Sequence, residues 1–144
     1  MTSALTPHER VAQSLARQGM MNHLGVRLLS ATVGQVELAL PYSDKVTQQQ
    51  GGFHGGAMGA LADIAGGYAA LTVAPEGMEV TTVEYKINFL ASFQGGEIRA
   101  IGRVTKAGKR IIVTTAELVH IDDSGKRSDC ALMQQTLVPV TKTY

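Results

Sequence analysis

"QQQGGFHGGAMGALADIAGGYAA", residues 48–70, carries one formal charge, Asp63, inside an apolar and glycine-rich run. From Gly55 the run reads as a helix to about residue 74, where Pro75 and Gly77 stop it. On a helical wheel, at ~100° per residue, Leu61, Ile64, Tyr68 and Leu71 form a stripe of large side chains, the expected anchor into a sheet. Asp63 stands on another face, among Gly59, Ala60, Gly66, Gly67 and Ala70. A helix side turned to solvent normally carries Lys, Glu or Gln, and this face carries none. A carboxylate covered by apolar surroundings is destabilised unless paired or hydrogen-bonded, which makes it a functional candidate. The structural alternative leaves Asp63 facing solvent beside a tight packing contact.

Working outward, residues 6–18 predict a short helix: Thr6 caps it, Pro7 suits its first turn, Glu9 completes a capping box and Gly19 ends it. Residues 25–42 read as two strands turning near Gly34, with Val36, Leu38 and Leu40 on one face. After the long helix everything reads as strand. Val83, Tyr85, Ile87 and Phe89 alternate with Thr82, Glu84, Lys86 and Asn88. Breaks at Ala107-Gly108 and Ser124-Gly125 suit hairpin turns. The expectation is an α+β fold of about six strands, the last four an antiparallel meander, with one long helix lying across the sheet.

The 144 residues predict one domain, 1–144, with an N-terminal helical segment at 1–22. A net charge of +1 argues against a nucleic-acid partner. The single Cys130 excludes an internal disulfide. His8, His23, His54 and His120 stand at no ligand spacing, so no metal is expected. Charges near the start argue against an export signal, and the small, polar-dotted run from Val46 to Pro75 argues against a membrane span. A cytoplasmic location is expected.

"FHGG" precedes the long helix. Peptide N–H groups at a helix start are unpaired and partly positive, so Gly55 or Gly56 could bind an oxyanion, and paired glycines let a carbonyl come close. The alternative is an ordinary glycine turn. His54 could act as a base, donate a hydrogen bond to substrate, or pack the turn.

Together these residues resemble the hotdog-fold acyl-CoA thioesterases, specifically the PaaI-like branch related to 4-hydroxybenzoyl-CoA thioesterase. The family pattern is Asn or Gln, then "HGG", then an acid on the following helix. Here it reads Gln48, His54-Gly55-Gly56 and Asp63, with Gln49 and Gln50 as register alternatives. The resemblance covers roughly residues 23–140. It implies a long central helix wrapped by a curved antiparallel sheet. It also implies a homodimer with shared sites, usually paired again into a homotetramer: Gln48 and the Gly55 amide would come from one subunit and Asp63 from the other. Gly59, Gly66 and Gly67 would then let two long helices approach closely.

The implied chemistry is hydrolysis of acyl-coenzyme A, which is substrate, with no separate cofactor. The Gly55 N–H would stabilise the oxyanion, Gln48 would bond substrate or water, and Asp63 would serve as general base or as nucleophile. Thr82, with Thr81 as the off-by-one alternative, would help position water, or is a plain β-former. Relatives that carry Ser or Thr four residues after the acid differ from this chain, which has Gly67 there. Lys106, Gly108, Lys109 and Arg110 would meet the nucleotide phosphates, Arg110 with a bidentate fork, though exposed hairpins also carry such residues for solubility. Gly56 and Asn88 would be further substrate contacts; by position alone, Phe53, Met58, Leu61 and Phe89 would line the acyl pocket, with Met20, Met21 and Leu24 as its lid. Two other readings stand beside hydrolysis. One is a hotdog hydratase or dehydratase, which needs a His54–Asp63 pair. The other is a non-catalytic acyl-CoA sensor.

Overall fold

The computed structural model describes residues 3–144. The first two residues of the segment expected to be helical, 1–22, lie outside the described residues. Helix α1 (Pro7–Ala16) opens with the capping box: Glu9 N–H donates to Thr6 Oγ1 at 3.1 Å, and Thr6 N–H donates to Glu9 Oε2 at 2.9 Å. Gly19 does not simply end the helical segment. After the Arg17 cap it begins a second helix, α2 (Gly19–Leu24), and Gly25, at φ 81°, stops that one.

Strands β1 (Arg27–Thr32) and β2 (Gln35–Pro41) turn at Gly34 as the sequence predicts. Helix α3 (Gly55–Leu71) stops three residues short of the expected end. Then come β3 (Met78–Phe89), β4 (Glu97–Ala107), β5 (Ile112–Ile121) and β6 (Arg127–Thr141). The two hairpin turns fall where Gly108 and Gly125 place them. All pairings are antiparallel, and the six strands form one sheet with α3 across it.

The strand order is β1-β2-β4-β5-β6-β3, which corrects the four-strand meander. Only β4, β5 and β6 follow one another. Strand β2 pairs along β4 from Gln35↔Arg103 to Pro41↔Glu97, so both edges of β4 are taken. Residues 90–96 instead carry the chain away from β3, which pairs with β6 from Met78↔Thr141 to Phe89↔Ala131. Strand β3 is therefore an edge strand.

The seating of α3 also differs from expectation. Met58, Ala62, Ala65, Gly66 and Ala69 are buried, and contacts from Ala65 and Gly66 place this small-residue face on the sheet. A Cβ at Gly102 on β4 would run into the Ala65 carbonyl and lie 2.8 Å from the Gly66 nitrogen. Glycine there lets the helix backbone sit directly on the strand. From the large-residue stripe, Tyr68 instead meets the N-terminal helices: its hydroxyl accepts from Nε2 of Gln18, the α2 cap, at 2.7 Å and shares a 3.1 Å bond with Ser14 of α1. Small residues win the sheet side because they allow the closer approach. Among the described residues no helix is long and apolar enough to cross a membrane.

Candidate active site

Asp63 leaves α3 over the β3–β6 pair. Thr82 Oγ1 donates to Asp63 Oδ1 at 2.7 Å. Thr82 reaches the helix because β3 carries a bulge: Thr82 pairs with Leu137, Glu84 pairs with Thr136, and Val83 is the extra residue. Strict alternation would place Thr82 opposite Tyr85, Ile87 and Phe89. The bulge brings it onto their face and turns Val83, 61% exposed, outward. Tyr85 and Phe89 do lie against the helix, at Gly59 and Gly55 respectively.

A second partner escaped the sequence reading. Gln135 of β6 is fully buried, and its side-chain amide donates to Asp63 Oδ1, to Thr82 Oγ1 at 2.9 Å and to the Asp63 carbonyl at 3.2 Å. Its own Oε1 accepts from the buried Thr114 hydroxyl of β5 at 2.8 Å. A signal was present: Met133, Gln135 and Leu137 share one strand face, and a polar residue in an otherwise apolar register must find partners. Gly66 makes room for the cluster, since a Cβ there would overlap Gln135 Oε1 and lie 2.6 Å from Thr114 Oγ1. An interior helix glycine costs about 1 kcal/mol relative to alanine. Here that position is filled by the chain's own sheet, so Gly66 is not free for a neighbouring helix.

Asp63 and Thr82 face a cavity of about 210 Å³ walled by Ile64, Gly67, Leu71, Val80 and Leu137, and lined as well by Ser14 of α1 and by Gln18, the residue that caps α2. Met20 is exposed and Met21 buried; neither of them, nor Leu24, lines this cavity.

At the other end of α3, His54 is the N-cap, and its Nδ1 accepts from Gly56 N–H at 2.8 Å. That bond occupies the Gly56 amide and fixes the imidazole at the turn. Among the described residues no acceptor takes the Gly55 N–H, and the Phe89 ring stands beside Gly55. Gln48 is half-buried while Gln49 and Gln50 are exposed; Gln48 Oε1 accepts from Gln50 N–H, and its Nε2 lies toward Gly52. Phe53 and Met58 are core residues: Phe53 packs edge-on to Tyr42, and Met58 Sδ is 3.8 Å from Cys130 Sγ. Leu61 is buried as well, whereas Phe89 and Asn88 are exposed on β3.

Within one chain these groups stand in two separate clusters. Eight residues of helix separate Gly55 from Asp63, about 12 Å at 1.5 Å per residue. No single carbonyl carbon can be served by both. The same spacing keeps His54 and Asp63 of one chain from forming the pair that a hydratase needs.

Lys106, Lys109 and Arg110 are exposed and make no ion pair among the described residues; Gly108 N–H donates to the Ile111 carbonyl at 2.9 Å. Their turn lies at the Asp63 end of the sheet. Ile112, just beyond it, pairs with Leu137, which pairs with Thr82. Two strand spacings of ~4.8 Å separate the turn from Thr82. No cluster of three metal-ligating side chains occurs among the described residues.

Residues 50–125, more than half of the chain, match the family model described as the thioesterase superfamily. A Saccharolobus solfataricus protein that carries an esterase name is 35% identical over 99 residues, 69% of this chain and 70% of its own. The proofreading thioesterase EntH of Klebsiella pneumoniae is 29% identical over 108 residues, 75% of this chain and 77% of its own. In crystal structures, a thioesterase family protein from Silicibacter pomeroyi superposes with a TM-score of 0.90 at 36% identity, covering 94% of this chain and 99% of that one. The E. coli PaaI protein from the phenylacetic acid degradation operon shares the fold, at TM-score 0.83 and 22% identity over 95% of each chain. With a long helix laid across an unclosed six-stranded antiparallel sheet, the chain has the hotdog fold and belongs to the thioesterase superfamily.

Proposed function

We propose that the protein hydrolyses acyl-coenzyme A thioesters in sites shared between two copies of the chain. The observation that carries this reading is the pair of half-sites: a bonded carboxylate facing a cavity, and an unclaimed helix-start N–H about 12 Å away along the same helix. Strand β3 supplies the means of joining them. It is a 12-residue edge strand that exposes Val83, Tyr85 and Phe89, and such edges are normally covered. Two-fold pairing of β3 with its copy about Tyr85–Lys86 would set Thr82 of one chain opposite Phe89 of the other. Asp63 and the partner's Gly55 would then face one another. Pairing of two such dimers into a tetramer is the assembly the family resemblance adds.

In this arrangement the Gly55 N–H, at the positive end of the helix, holds the thioester oxygen. Asp63 takes a proton from water as the water oxygen bonds to the carbonyl carbon. The tetrahedral oxyanion then re-forms the carbonyl, the C–S bond breaks, and the proton passes to the departing thiolate. Free acid and coenzyme A result. Direct attack by Asp63 to give a mixed anhydride, later hydrolysed, uses the same groups. Gln48 bonds the substrate or water, and His54 orders the turn that presents Gly55. The acyl group occupies the cavity beside Asp63, which Ser14 of α1 and the α2 cap Gln18 also line. Lys106, Lys109 and Arg110 take the nucleotide phosphates.

The test is thiol release from a panel of aryl- and fatty-acyl-CoAs by wild type and by Asp63→Ala. The expected outcome is release by the wild type and a loss of about 100- to 10,000-fold in the variant. Binding without release by the wild type, or full activity in the variant, would overturn the proposal.

A further inference from the structure

Resting on the reading of Asp63 as the group that acts on the thioester, we infer that Gln135 is a positioning residue, locked by Thr114, that ties down Asp63 Oδ1 and leaves Oδ2 as the reacting oxygen. Both side-chain donors that reach the carboxylate, Thr82 Oγ1 and Gln135 Nε2, converge on Oδ1. Among the described residues no donor reaches Oδ2. The carboxylate is thus pinned through one oxygen while the other keeps its lone pairs for water or a carbonyl carbon.

The direction of the Gln135 amide is set by chemistry rather than by packing alone. A hydroxyl can donate or accept, so Thr114 by itself would tolerate either face of the amide. The carboxylate and the Asp63 carbonyl only accept, and they require the NH₂ group on the helix side. Thr114 must then donate to Oε1, which it does at 2.8 Å. Thr82 accepts from Nε2 and so spends its own proton on Asp63. The hydroxyl protons of Thr114 and Thr82 therefore both run in one direction, from β5 toward the carboxylate, with the Gln135 amide fixed between them. Gln135 and Thr114 are fully buried, so no water substitutes for either. The glycine at position 66 admits both, since any side chain there would displace the amide.

Gln135 touches no reacting atom in this scheme, so its removal should lower kcat and spare KM. In Gln135→Met, which keeps length and volume without the donors, kcat should fall by about 10- to 100-fold with KM changed less than about twofold. Thr114→Val, which keeps shape and loses the proton, should lower kcat in the same sense, and Thr114→Ser should restore it. Wild-type kcat in Gln135→Met, or in Thr114→Val, overturns the inference. So does an equal loss in Thr114→Ser and Thr114→Val, because a packing role would not distinguish the hydroxyl. Should Gln135→Met not fold, the two Thr114 variants decide alone. Asp63→Asn, measured alongside, separates the two readings. An inactive Asp63→Asn with a fully active Gln135→Met removes Gln135 only, whereas an active Asp63→Asn removes the role of Asp63 itself.

Discussion

At the scale of single residues, much of the site follows from one free amide and one bonded carboxylate. Gly55 is the first residue of α3, a position where proline is tolerated because its missing N–H would have no helical partner. His54 already has the extended backbone, φ −68° and ψ 134°, that a following proline demands. Gly55→Pro should therefore fold, the Phe89 ring edge at 3.2 Å giving way, and should lose about 100- to 1,000-fold in kcat with the oxyanion donor. A Gly55→Ala control, which retains the N–H, should keep most of the activity; equal loss in both would assign the effect to crowding by Phe89. Cys130 behaves differently, because burial pushes its thiol up to about 11. The unfolded chain, with a thiol near 9, then holds fewer protons than the folded one between those values. Stability from this group is complete below pH 9 and falls as pH rises toward 11, which denaturant midpoints across that range would record. At neutral pH the folded protein should be inert to thiol reagents. Asp63 was legible as a charge that its small neighbours did not explain. Gln135 left a fainter mark, its register with Met133 and Leu137, and such a polar residue declares itself only once the inward face of its strand is known.

Among the elements, helix starts, glycine turns and strand alternation are local signals, and they placed nearly every element. What they could not carry was pairing. Nothing near residues 78–89 says that β6, about fifty positions later, is a better neighbour than β4; that follows from β2 having taken the other edge of β4. The bulge at Val83 is equally non-local, since it exists only as a mismatch between two strands. Yet Thr82 depends on it. Deleting Val83 should restore strict alternation and turn Thr82 and Val80 away from α3, a one-residue slip that reverses faces. Activity should fall at least as far as in Thr82→Val, with a lower melting temperature as Val80 leaves the core. A deletion variant with wild-type activity and melting temperature would show that the bulge does not position Thr82. The large-residue stripe on α3 misled for a related reason. Size marks what a helix can anchor with, whereas the sheet here asked for closeness, and Ala62, Ala65, Gly66 and Ala69 supplied it.

For the molecule as a whole, the question is whether chemistry completes itself within one chain. A helix of fixed rise holds Gly55 and Asp63 about 12 Å apart, and no side-chain motion closes that gap. A two-fold partner joined along β3 would close it twice, since an isologous contact gives each chain's half-site the other's complement. This yields a test that needs no structure of the complex. Gly55→Pro keeps a competent Asp63, and Asp63→Asn keeps a competent Gly55, so each variant alone forms only crippled sites. Refolded together in equal amounts, half of the dimers should be mixed, and each mixed dimer should hold one intact site and one doubly damaged site. The mixture should recover about one quarter of wild-type turnover per chain, while the separate variants stay near background. Placing like charges on the joining edge, Val83→Lys with Tyr85→Lys, the latter opposite Lys86 of the other chain, should abolish recovery and shift the protein toward monomer on a sizing column. Recovery cannot arise if oxyanion donor and base belong to one chain, so a mixture no more active than its parts would mean that the two half-sites never meet.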